Sequence, residues 1–165
     1  FLAFGRLIHN KRFDLVIKAF NELQFPLKIV GSGPHEAKLK KLAHSNNIEF
    51  LARISDDELR KVITGAKAFI FPQVEDFGLV AAEALACGTP VIAYRAGGAL
   101  DIIEEDANGL FFDEQTPNSL IEAINRFNKM KFDQEKIVQS AQKFSEALFR
   151  QNLTRVINQS FTPPL

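Results

Sequence analysis

Short apolar runs bounded by glycine, proline or asparagine alternate along this chain with longer stretches in which apolar residues return every three or four positions. Leu2-Phe4, Leu27-Val30, Glu49-Leu51, Ala68-Phe71, Val91-Ala93 and Gly109-Phe112 are too brief for helices, and several are rich in Val, Ile or Phe, so they read as strands. Lys11-Leu23 sets Phe13, Val16, Ile17 and Phe20 on one face of a helix. Helices should also start at Ser55, which precedes the acidic run Asp56-Asp57-Glu58, and at Thr116, which precedes Pro117. From about Asp133 to Phe161 the pattern is helical, and Thr162-Pro163-Pro164 terminates it.

Strands alternating with helices at intervals of roughly 20 residues predict right-handed crossovers and an α/β fold, a doubly wound parallel sheet of Rossmann-like type. Ligands of such sheets bind outside the carboxyl ends of the strands. The candidate site therefore lies in the loops Gly5-Lys11, Gly31-Pro34, Leu51-Asp56, Phe71-Gly78 and Ala93-Gly98.

With 165 residues, one full-sized domain is expected. Twenty basic and twenty acidic residues balance, so nothing in the overall charge attracts nucleic acid, and an anion site must be local. No apolar stretch approaches the ~20 residues needed to span a bilayer, and no signal segment opens the chain, so a soluble, cytoplasmic protein is expected. Cys87, the single cysteine, excludes an intramolecular disulfide and a multi-cysteine zinc site and reads as a packed thiol. His9, His35 and His44 lack metal-ligand spacing and read as surface or loop residues, and the 16 phenylalanines read as core. The chain opens on Phe1-Leu2-Ala3-Phe4-Gly5, already strand-like and without a start methionine, so a preceding segment is expected.

The most informative stretch runs from Phe71 to Val91. A strand ends at Pro72, a loop carries Glu75, and a helix begins near Phe77-Gly78, where free backbone amides form a partial positive charge suited to phosphate or sugar oxygens. Glu83 lies one to two turns into that helix, so the two carboxylates can reach different hydroxyls of one extended ligand. Alone, each glutamate reads as a solvated acid. Glu83, however, sits between Ala82 and Ala84 in an otherwise apolar helix, and a carboxylate there is expected to need a partner.

Glu75-Asp76-Phe77-Gly78-Leu79-Val80, followed by Glu83-Ala84-Leu85-Ala86-Cys87-Gly88-Thr89-Pro90-Val91, resembles the Glu-x7-Glu signature of the large group 1 (family 4) retaining glycosyltransferases, which include bacterial mannosyl- and glucosyltransferases. Gly5-Arg6-Leu7 with Lys11 resembles that family's phosphate-binding loop, and Gly31-Ser32-Gly33-Pro34 its second glycine turn. Gly97-Gly98, Asp101-Ile102-Ile103 and Asn108-Gly109-Leu110 resemble its closing segments, so the likeness covers about residues 3 to 125. Asp76 departs from the commoner glycine and Asp101 from the usual glutamate. Glu75-Asp76-Phe77-Gly78 with Tyr94-Arg95-Ala96-Gly97-Gly98 is similar to mannosyltransferases of surface-polysaccharide synthesis.

The resemblance implies a GT-B enzyme of two facing doubly wound domains, of which this chain is the C-terminal, donor-binding one. Residues 1 to 145 would bind the donor, and residues 146 to 165 would cross back to an N-terminal acceptor domain. By the same resemblance Arg6 and Lys11 hold the diphosphate and stabilise it as leaving group without a metal or other cofactor. Glu75 holds donor-sugar hydroxyls, the amides of Phe77, Gly78 and Leu79 meet sugar or phosphate oxygens, and Glu83 binds the ribose diol. Arg53, Ile54 and Asp56 lie nearest the nucleobase. The implied reaction is retaining transfer of a hexose, mannose favoured, to a glycan or lipid-linked acceptor. GDP-mannose leads as donor, with UDP-sugars next, and the full-length enzyme would work in the cytoplasm, at the inner face of the membrane in some relatives. The fragment alone should bind donor and transfer little.

Two alternatives stay open at this point. A sugar-nucleotide epimerase or a phosphorylase shares the architecture but runs a different reaction, and a non-catalytic nucleotide-binding domain would have little use for Arg6, Lys11, Glu75 and Glu83 around one cleft. Gly31-Ser32-Gly33-Pro34-His35-Glu36 lacks the last glycine of a dinucleotide fingerprint, which disfavours nicotinamide cofactors.

Overall fold

The computed structural model describes residues 1–160, so Phe161 and the expected Thr162-Pro163-Pro164 ending lie outside the described residues. The described residues form six strands: β1 (Leu2–Phe4), β2 (Leu27–Val30), β3 (Ile48–Leu51), β4 (Phe69–Phe71), β5 (Val91–Tyr94) and β6 (Gly109–Phe112). Each falls on one of the six apolar runs, with ends shifted by at most a residue. The helices are α1 (Phe13–Leu23), α2 (Glu36–Leu42), α3 (Asp56–Thr64), α4 (Leu79–Ala86), α5 (Ala99–Ile102), α6 (Pro117–Phe127), α7 (Gln134–Ala141) and α8 (Glu146–Ser160).

All pairings are parallel and the strand order is β3-β2-β1-β4-β5-β6. The chain runs outward from β1 to β3, then crosses back to place β4 against the other side of β1. Loops leaving β1 and β4 consequently diverge to opposite faces, and the gap between them is the topological switch point of the sheet. One core layer packs α1, α2 and α6 on one face through Phe20, Leu39 and Ile124. The other packs α3, α4, α5 and α7 on the opposite face through Ile63, Leu85, Ile102 and Ile137. Burial on both faces explains why β1, β4, β5 and β6 read as continuous apolar runs, whereas β2 and β3, toward the sheet edge, carry exposed Lys28 and Glu49.

Local chemistry sets the helix ends. Ser55 caps α3 in a reciprocal box, its hydroxyl accepting from the Glu58 amide at 3.4 Å while Glu58 accepts from the Ser55 amide at 3.0 Å. Thr116 caps α6 ahead of Pro117. Two expectations need correcting. The helix expected from Lys11 begins at Phe13, because Arg12 adopts a left-handed conformation (φ 52°) that separates it from a short 3-10 turn at His9–Lys11. The helix expected from Asp133 onward is broken: a 3-10 turn at Gln142–Phe144 and extended Ser145 (ψ 146°) divide α7 from α8. The phenylalanines are mainly core, but Phe77 and Phe149 are exposed.

Candidate functional site

The loops after β1 and β2 are locked together. The Gly5 amide donates to the Val30 carbonyl at 3.0 Å, Leu7 to Ser32 at 2.9 Å, and His35 to Leu7 at 3.0 Å. Gly31 makes this possible: its φ of 141° suits glycine, and a Cβ there would stand 2.0 Å from the Gly5 carbonyl oxygen. Beside these loops opens a cleft of about 580 Å³, lined by Gly5, Arg6, the Gly31 to Pro34 turn, Arg53, Ile54 and Asp56. Arg6 and Arg53 are both exposed and form no ion pair among the described residues. Two uncompensated guanidinium groups against exposed backbone suit a planar or doubly charged oxyanion.

Across the switch point, Lys11 and Glu75 form an ion pair, each side chain about a quarter exposed (22% and 23%). Partial burial draws the Lys11 ammonium below its usual pKa, and Glu75 supplies the counter-charge. The loop carrying Glu75 is clamped from behind, because the Gly98 amide donates to the Glu75 carbonyl at 2.7 Å. A Cβ on Gly98 would stand 2.1 Å from the Phe77 carbonyl oxygen, and one on Gly97 2.4 Å from that of Glu75. Gln115 ties the two halves together, accepting from Arg12 at 2.8 Å and donating to the Pro72 carbonyl at 2.8 Å. Buried Gln73 reaches the Glu75 carboxylate at 3.4 Å. Neither glutamine carries a sequence signal, since each is an isolated polar residue whose role depends on contacts far along the chain.

Gly78 caps α4 with φ 94°, and the first turn of the helix leaves its amides without intrahelical acceptors. Phe77 and Leu79 flank that turn with exposed side chains, Phe77 packing edge-on against Phe144 at 5.6 Å. Glu83 departs from expectation. Its neighbours Ala82, Ala84 and Leu85 are buried, yet Glu83 itself faces outward into a concavity of about 610 Å³ shared with Asp56, Arg60 and Cys87, and no partner is needed because water reaches it. Flanking atoms and the charge of Asp56 still push its pKa above the ordinary 4.5. Asp56 lines both this concavity and the Arg6 cleft, so Glu83, Asp56, Arg53, Ile54 and Arg6 follow one concave path, with Lys11 and Glu75 at the switch point. Among the described residues no group of three or more His, Cys, Asp or Glu side chains stands together in a way that could hold a metal.

A family model described as glycosyl transferases group 1 matches residues 1–144. The chain belongs to that family. An uncharacterized glycosyltransferase of Methanocaldococcus jannaschii is 35% identical over 127 residues, covering 74% of this chain and 36% of that protein. A GDP-mannose-dependent monoacylated alpha-(1-6)-phosphatidylinositol monomannoside mannosyltransferase of Corynebacterium glutamicum is 34% identical over 135 residues, covering 73% and 35%. Among solved structures, that of Anabaena Alr3699/HepE in complex with UDP superposes with a TM-score of 0.78 at 23% identity, covering 96% of this chain and 48% of that one. This group 1 domain thus spans roughly a third of the relatives' sequences and half of the fold relative's chain. Its Rossmann-like sheet, as expected from sequence, is the architecture of GT-B glycosyltransferases. No helix among the described residues is long and apolar enough to cross a membrane.

Proposed function

We propose that this group 1 domain is the donor-binding half of a retaining glycosyltransferase that moves a hexose, mannose favoured, from a nucleotide diphosphate sugar to a glycan or lipid-linked acceptor. The observation that carries this reading is the Lys11–Glu75 ion pair at the switch point, formed by the same post-β1 segment that brings Arg6 to the arginine-lined cleft. A donor would replace that pair: its diphosphate takes Arg6 and Lys11, its sugar hydroxyls take the released Glu75, and the amides of Phe77, Gly78 and Leu79 receive the remaining oxygens. The ribose reaches Glu83, and the base lies by Arg53, Ile54 and Asp56. Charge neutralisation by Arg6 and Lys11 stabilises the leaving diphosphate without a metal. The GDP-mannose-dependent relative supports mannose, and the fold relative bound to UDP is the reason to test uridine donors beside it.

Residues 1 to 145 would form the donor domain, and the segment from residue 146 onward, of which Glu146–Ser160 is α8, would cross to an acceptor domain. On α8, Phe149, Leu153, Val156 and Ile157 recur at spacings of four, three and one and are all exposed, an apolar stripe that an N-terminal domain would cover. Without that domain acceptor positioning and water exclusion are lost, so binding with little transfer is expected. The full-length enzyme is placed in the cytoplasm, at the inner membrane face if its acceptor is lipid-linked. Calorimetric titration with GDP, UDP, GDP-mannose and UDP-glucose tests this directly. Selective, saturable binding to one nucleotide that weakens in Arg6→Ala is the expected result. A folded sample that binds none of the four overturns the assignment.

A further inference from the structure

On the reverse side of the Arg6 loop lies a second concavity that the donor reading does not use. It is a groove of about 330 Å³ between α1 and α2, within the size range of small-ligand sites. Its floor is apolar, formed by buried Phe13 and Leu39. Its rim is cationic: Lys18 comes from α1 and Lys38 and Lys41 from α2, while His9 and His35 stand at one end with ring centroids 6.0 Å apart. Among the described residues Asp14 is the one carboxylate in the lining, and it already has Arg12 at 3.5 Å.

The lysines of α2 divide by face. Lys40, outside the groove, is neutralised by Glu36 at 2.7 Å, whereas Lys18, Lys38 and Lys41 form no ion pair among the described residues. In a chain of zero net charge this concentrates positive potential over an apolar floor. We propose that this groove is an accessory site for a small phosphorylated ligand, the phosphate held by Lys18, Lys38 and Lys41 and the apolar part laid on Phe13 and Leu39. The concave shape and recessed floor fit a discrete molecule better than a flat lipid surface. The site is separate from the donor cleft, since Arg6 and Gly33 line that cleft while His9 and His35 line this groove.

NMR titration of the domain with inorganic phosphate and with phenyl phosphate tests the proposal, read at the ring resonances of His35 and, as control, exposed His44. The His35 signals are expected to move saturably while His44 stays still, with phenyl phosphate binding more tightly than phosphate. The response should persist in Arg6→Ala, which disables the donor cleft, and weaken about tenfold or more in the triple variant Lys18→Gln, Lys38→Gln, Lys41→Gln. Survival in Arg6→Ala also separates this site from the donor reading, which can fail independently. Movement lost in Arg6→Ala, unchanged in the triple variant, or produced only by phosphatidylglycerol vesicles overturns it.

Discussion

Glu75→Gln separates two contributions that a simple loss-of-contact picture would merge. In the unliganded domain the Glu75 carboxylate occupies Lys11, so a nucleoside diphosphate must break that pair before Lys11 can serve it. With both side chains about a quarter exposed, the pair is worth on the order of 1 kcal/mol, near the upper end for surface pairs and far below a fully buried one. Neutralising Glu75 removes the competitor, and GDP or UDP should then bind up to about fivefold more tightly. The nucleotide sugar behaves differently. Its hydroxyls lose charge-assisted bonds to the carboxylate, each worth about 1.5 to 3 kcal/mol, which outweighs the gain at Lys11. The advantage of sugar nucleotide over bare diphosphate should therefore fall by about tenfold or more, measured calorimetrically on wild type and variant side by side. If Glu75→Gln weakens diphosphate and sugar nucleotide by the same factor, the exchange of partners at Lys11 is refuted.

Three further outcomes follow from the geometry. Gly98→Ala drives a Cβ to 2.1 Å from the Phe77 carbonyl, so chemical denaturation should show a loss of about 1 to 3 kcal/mol together with weaker sugar-nucleotide binding. Glu83 holds its proton more tightly when folded, first from partial burial and then from Asp56, so its ionised form costs stability as pH rises through that raised pKa. Thermal melts of Glu83→Gln and wild type should then coincide at about pH 4 and diverge in favour of the variant toward about pH 7, and an identical gap at both pH values would count against this. Phe149→Ser on α8 should leave domain stability within about 0.5 kcal/mol in chemical denaturation, because the residue is 64% exposed, and a loss of about 2 kcal/mol or more would contradict this.

The sheet was legible because the four strands β1, β4, β5 and β6 are compact apolar runs buried on both faces, and β2 and β3 remain mostly apolar despite exposed Lys28 and Glu49. The ligand-binding end of the sheet followed from the doubly wound reading and the glycine turns from the family resemblance, while the strand order and the clashes that a side chain at Gly31 or Gly98 would make with Gly5 or Phe77 are visible only in the structure. Less legible was whatever depends on contacts distant in sequence. Arg12 in a left-handed conformation gives no compositional hint, so the helix expected from Lys11 starts two residues late. Because α4 is apolar almost all round, periodicity could not tell that Glu83 faces outward. The Lys11–Glu75 pair joins segments that the β1–β4 adjacency brings together, and the Arg12–Gln115–Pro72 chain adds the segment between β6 and α6, whose Gln115 lies 103 residues from Arg12 in sequence.

A backbone amide NMR titration with GDP and UDP tests the central claim most directly. The account predicts saturable shifts concentrated at Gly5, Arg6, Gly31, Gly33 and Arg53, with Phe77 to Leu79 joining when the sugar nucleotide is used. Shifts that cluster away from the carboxyl ends of the strands, or none in a well-dispersed spectrum, would contradict it.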